Sequence, residues 1–307
     1  NKKSFEITRD LNDLQDNGYV AISILAESIR MADHWGGISA EAVEFGQTSL
    51  SSSPGECSAS WVFQSKDAVK GYDGADSIGG VQGLPSDCID SHKYLEHSDL
   101  IVLRYADSRV LVTDSEVDNA NNAKRHFVRA KAGQAAYVFK GRNHESAFTK
   151  IPAGSATYNM AFHTSLFFLR PCITSTSKSK SVSSPCQNEP PSLVRLNLSG
   201  NRLVQQSLVD GIEQLQFKYG VDLDDDRKVD NYYSAKQVAD WQQVLSVRIS
   251  LIVRSFLKDA SIDELGKEYQ MFQGDVIGSG FIVGEPNEHF RRRQYIREVA
   301  LRNRLPL

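Results

Sequence analysis

Apolar residues recur at three- and four-residue steps through Ile7, Leu11, Leu14, Gly18, Ala21 or Ile22, Leu25 and Ile29. That spacing draws one apolar stripe along an α-helix and predicts an amphipathic helix over about 5–32, weakened locally by Gly18. From 35 to 97 the chain is rich in Gly, Ser, Asp and Pro with few long apolar runs, which predicts long loops and short strands. Beyond that point strands dominate. Runs at 99–105, 109–113, 135–140, 158–169, 193–198 and 203–208 are separated by polar turns, the pattern of an antiparallel meander.

Two stronger strands follow, bracketing an acidic loop. In 208–220, Glu213, Leu215, Phe217 and Tyr219 alternate with Ile212, Gln214, Gln216 and Lys218, and the first, more apolar set should face a core. Residues 244–254 form a second apolar strand. Between them Ser234 is placed to cap a short helix over 235–243, whose Val238 and Trp241 lie three apart and so share a face. Near the end, Tyr295, Arg297, Val299 and Leu301 alternate with Ile296, Glu298, Ala300 and Arg302, as in a final strand of a half-exposed sheet. A helix followed by strands gives an α+β fold, the helix packed on a large antiparallel β body.

The loop itself is chemically pointed. Asp222, Asp224, Asp226 and Asp230 fall at positions 1, 3, 5 and 9 of a DxDxDxxxD run, a spacing with which a curling backbone aims alternate carboxylates at one hard cation. The Lys228 backbone carbonyl would add a fifth oxygen, and calcium is the expected ion. Two departures from a full EF-hand stand out: Arg227 where that motif has Gly, and Tyr233 where it has its bidentate Glu. The competing reading is a solvated acidic turn, partly neutralised by Arg227 and Lys228.

At 307 residues with 40% apolar content, the chain can bury a sizeable core. Its formal net charge of -3 offers no global field for nucleic acid or an anionic membrane. No apolar run of about 18 residues is present to span a bilayer as a helix. Cys57, Cys88, Cys172 and Cys186 contain no CxxC pair, and the two sequence-local pairs enclose Ser-, Pro- and Gly-rich segments. Disulfides Cys57–Cys88 and Cys172–Cys186 are therefore expected in an oxidising compartment, one of three pairings the count allows. The second would close a loop holding the Ser- and Lys-rich stretch 174–184, which should be exposed and mobile.

Other chemistry is sparse. The seven histidines are scattered, with no HExxH, and His92 and His97 lie beside Asp90 and Glu96 without a metal-site spacing. Five glycines between Gly71 and Gly83 lack a phosphate-loop pattern. No GxSxG elbow occurs, and Gly278-Ser279-Gly280 lacks a nucleophile's strand-to-helix setting. Arg291, Arg292, Arg293, Arg297, Arg302 and Arg304 form one basic cluster. Alternation sends them to both faces, and Glu285, Glu288 and Glu298 neutralise several, which weighs against nucleic acid.

Residues 12–19 and 25–32, Gly71-Tyr72-Asp73-Gly74, Leu84-Pro85, 98–105, 208–219, 241–254 and 299–303, taken in order, resemble the PilW-type minor pilins of type IV pilus assembly, which are related to the minor pseudopilins of type II secretion of the GspJ type. The resemblance implies a pilin-like fold in which 1–33 is the lower part of a stalk helix and 34–307 a β-rich head. It also implies a hydrophobic helical half upstream of Asn1 that tethers the protein to the inner membrane. The head would stand in the periplasm before assembly and at the pilus tip afterwards. The implied role is non-catalytic: partnership with other minor pilins, the major pilin and a tip adhesin, in a complex that primes pilus growth. A calcium-stabilised adhesin and a periplasmic hydrolase are the alternatives.

Overall fold

The apolar stripe is buried along one side of helix α1 (Lys2–Met31) in the computed structural model, which describes residues 2–50, 57–85, 88–172, 189–272, 280–283 and 289–304. Leu14, Ala21, Ile22, Leu25, Ala26 and Ile29 enter the main core, whereas Leu11 is 43% exposed. The lower part of the helix thus packs on the β body, and its upper part runs beyond the densest packing.

The first sheet contains β1 (Val43–Phe45), β2 (Val69–Tyr72), β3 (Leu100–Val112), β4 (His126–Lys131), β5 (Ala135–Lys140), β6 (Thr157–Arg170), β7 (Ser192–Ser199) and β8 (Arg202–Asp210). Its order is β1-β5-β4-β6-β3-β2. One edge of the long β6 pairs first with β4 and then with β7, to which β8 is joined; β3 runs along its other edge. All pairs are antiparallel except β1 with β5. The second sheet contains β9 (Ile212–Val221), β10 (Asn231–Tyr233), β11 (Val244–Arg254) and β14 (Arg292–Ala300), all antiparallel, in the order β10-β9-β11-β14. β12 (Glu268–Tyr269) and β13 (Phe281–Ile282) form a separate pair. Short helices α2 (Ala59–Val62), α3 (Asp114–Val117) and α4 (His144–Lys150) complete the α+β architecture.

Period-two alternation gives the first sheet a core on each face. Ile101, Leu103, Phe167 and Leu169 point toward α1 and the second sheet, where they meet Leu215, Phe217, Val247, Ile249 and Leu251. Leu100, Val102, Phe162, Leu166 and Phe168 point the other way, under a layer built by residues 35–50, 57–85 and 88–97. That layer carries Trp35, Trp61, Phe63, Ile78, Val81 and Leu84, and the Cys57–Cys88 disulfide crosses it. The expected loops are there, but they cover a core of their own. Arg104, fully buried on β3, fastens them by donating to the carbonyls of Trp61 at 2.5 Å and Asp67 at 2.6 Å.

The structure revises four expectations about elements. Runs 99–105 and 109–113 are one strand, β3, which crosses an irregularity between Asp107 and Leu111 without a turn. β4 had no counterpart in the apolar pattern. Its His126 and Arg129 look like surface residues yet are buried, Arg129 donating to Ile151 O (2.5 Å), Asp114 Oδ1 (2.6 Å) and Asn159 Oδ1 (2.8 Å). The run 208–220 is divided at Gly211, whose φ of +87° is open to glycine and ends β8. The helix expected over 235–243 is two 3-10 turns, Ala235–Gln237 and Trp241–Gln243, although Val238 and Trp241 are both buried in the main core as their spacing requires. Cys186, the stretch 174–184, Gly278, Ser279, Glu285 and Glu288 lie outside the described residues, so the Cys172–Cys186 pairing does too.

A junction around Asp99 ties the two sheets together. The Asp99 carboxylate accepts from the backbone N–H of Phe217 in β9 and of Gly74 after β2, both at 2.8 Å. The neighbouring Asp73 accepts from Ala235 N at 2.7 Å and Lys236 N at 3.0 Å, capping the first 3-10 turn. A Cβ on Gly71 would lie 1.8 Å from the Tyr219 hydroxyl, so only glycine lets the sheets close there.

Candidate functional site

The acidic loop joins β9 to β10 and is closed at both ends by backbone bonds: Asp222 N donates to Gln243 O (3.0 Å) and Asp230 N to Val221 O (2.9 Å). Inside it, Asp225 and Arg227 take left-handed conformations, with φ of 62° and 65°. These reversals curl the chain so that carboxylate oxygens of Asp222, Asp224 and Asp226 come within 4.8 Å of one another. Three of the four carboxylates singled out by spacing therefore converge. Asp230 ties the loop together instead, its Oδ2 accepting from Leu223 N at 2.7 Å.

The three converging carboxylates differ in setting. Asp224 and Asp226 are exposed, while Asp222 is only 4% exposed. Asp222 Oδ2 accepts from Arg227 N at 2.8 Å, and its buried Oδ1 has no hydrogen-bond partner. Lys228 reaches Asp226 Oδ2 with its ammonium at 2.7 Å. This contact holds the Asp226 carboxyl below the usual carboxylate range and raises the Lys228 amine.

Other candidate residues do not assemble in the same way. His92 is exposed, and the exposed His97 faces Asp76 at 3.4 Å. A cavity of about 330 Å³ between β4, β6 and β7 is lined by Arg125, His126, Phe162, His163, Asn197 and Ser199, among others, with no carboxylate in its lining. Burial holds both imidazoles toward the neutral form, His126 down to about 4. Three of the six C-terminal arginines are engaged in ion pairs within the fold. Arg291 meets Asp259 at 2.5 Å, Arg292 meets Glu213 at 2.6 Å and Arg304 meets Asp33 at 2.6 Å. Sequence reasoning missed Asp73 and Asp99, isolated acids whose signal was their position inside the Gly71–Gly74 and 98–105 stretches.

Among the described residues, no helix is long and apolar enough to cross a membrane. The profile of the family described as type IV pilus-assembly protein W matches residues 179–303. A type IV-like pilin from Thermus thermophilus aligns over 95% of this chain and 97% of its own, at 8% identity and a TM-score of 0.39, too distant to add to the argument. No curated protein matches the chain. The matched span holds the whole four-stranded sheet and the acidic loop, and over that span the chain is similar to the family described as type IV pilus-assembly protein W.

Proposed function

We propose that the protein is a minor pilin acting through protein–protein contacts. Tethered at the inner membrane before assembly, it would join other minor pilins in a complex that primes pilus growth and remains at the tip, there contacting the major pilin and a tip adhesin. The observation that carries this reading is the family match over residues 179–303. The helix supports it: Phe5, Tyr19 and Val20 are 71%, 52% and 47% exposed. At 100° per residue they fall within an arc of about 100° on the side away from the core stripe. Such a surface suits a neighbouring helix.

The test is co-purification of the full-length, membrane-embedded protein with the other minor pilins of its operon, alongside a count of surface pili. A stable complex is expected, and a Tyr19→Glu/Val20→Glu variant should weaken it and lower piliation while the head stays folded. A folded full-length protein that recruits none of them would overturn the assembly role.

A further inference from the structure

We propose that the loop between β9 and β10 is a calcium site built from Asp222, Asp224 and Asp226. The convergence of the three carboxylates within 4.8 Å is the first observation. Exposed acidic groups often cluster without an ion, so the second observation decides. Asp222 is 4% exposed, and its Oδ1 is buried without a hydrogen-bond partner beside two further carboxylates. A buried carboxylate oxygen left unpaired is costly, and like charges nearby add to the cost. A cation at the centre of the three removes both penalties at once.

The chemistry of the donors selects the ion. All are hard carboxylate oxygens on an open loop, with neither thiolate nor imidazole in the cluster. Zinc and copper favour sulfur and nitrogen, and magnesium demands a near-ideal octahedron and dehydrates reluctantly. Calcium accepts irregular oxygen sets completed by water. The backbone agrees: Arg227 occupies the place of the EF-hand glycine and takes the left-handed conformation with φ of 65° that glycine is used for there. Lys228, paired with Asp226 Oδ2, is the internal cation that calcium would displace from the cluster. Occupancy would lock the loop against Gln243, just before β11, and so stiffen that end of the β9–β11 pair. This site stands independently of the assembly role.

The experiment is isothermal titration of calcium chloride into the EDTA-stripped, desalted protein, paired with thermal melts. One calcium per chain is expected, with a dissociation constant on the order of 0.1–1 mM, as in extracellular calcium modules, and a higher melting temperature in millimolar calcium. The Asp224→Ala/Asp226→Ala variant changes exposed side chains and should fold, yet lose both effects; Asp76→Ala, a distant exposed carboxylate, should keep both. Absence of both heat and melting shift in the wild-type protein would overturn the site. So would binding that survives in the double variant, while an equal response to magnesium would overturn the assignment to calcium.

Discussion

At the scale of the residue, the sheet junction depends on ionisable groups in apolar surroundings. Burial pushes the Asp99 carboxyl up to about 7, against the two backbone N–H groups that favour its charged form. Its folded pKa is above its unfolded value, so its contribution to stability is complete below about 4 and is lost as pH rises through 7. His126 has the opposite sign. Burial lowers it to about 4, so its contribution is complete above about 6.5 and is lost as pH falls through 4. Urea denaturation across that range should separate the two. Relative to wild type, Asp99→Asn should make stability rise more steeply with pH between about 4 and 7, and His126→Gln should make it fall more steeply over about 4–6.5. Below about pH 4, where Asp99 is neutral, Asp99→Asn should also lower stability, because an amide offers one acceptor oxygen to the two N–H groups of Phe217 and Gly74. Neither shift was visible in the sequence, where Asp99 and His126 look like ordinary surface residues. Enclosure by residues distant in sequence is a long-range fact.

At the scale of the element, legibility followed periodicity. α1 was readable because its lower apolar residues all face one core, and β9, β11 and β14 because their alternation matches the faces they bury. Leu25→Ala, which removes a fully buried side chain, should cost about 2–5 kcal/mol, whereas Leu11→Ala should stay within about 0.5 kcal/mol. Chemical denaturation of both variants checks the contrast. β4 escaped because a buried arginine imitates an exposed one until its partners are known: Asp114, Ile151 and Asn159 come from three other places in the chain. Asp107 and Ser108 carry turn chemistry that suggests two strands, and only the pairing of β6 on both sides of the irregularity keeps β3 continuous. The 3-10 turns at 235–243 show a similar override. Asp73, just beyond β2, holds the N-terminal end of the first turn by accepting from Ala235 N and Lys236 N.

At the scale of the whole molecule, a sheet with a core on each face explains why residues 35–97 need a covalent staple. Their layer has little regular structure, and Cys57–Cys88, 31 residues apart, holds it down. Cys57→Ser/Cys88→Ser should cost about 3–4 kcal/mol on the chain-entropy account, and thermal melts with and without reductant measure it. Loss of the staple should loosen the outer layer while the helix-facing core survives. The sequence by itself determined what is local: one helix with one stripe, strong strands of period two and the spacing of four aspartates. Each of these follows from neighbours a few residues apart, where backbone geometry leaves little choice. Tertiary structure alone decided which three aspartates converge, which arginine is buried, why Gly71 admits nothing larger, and that scattered motif pieces meet at Asp73 and Asp99. Those outcomes depend on contacts between residues far apart in sequence, such as the 118 positions separating Asp99 from Phe217, and no local pattern encodes which distant partner closes on which.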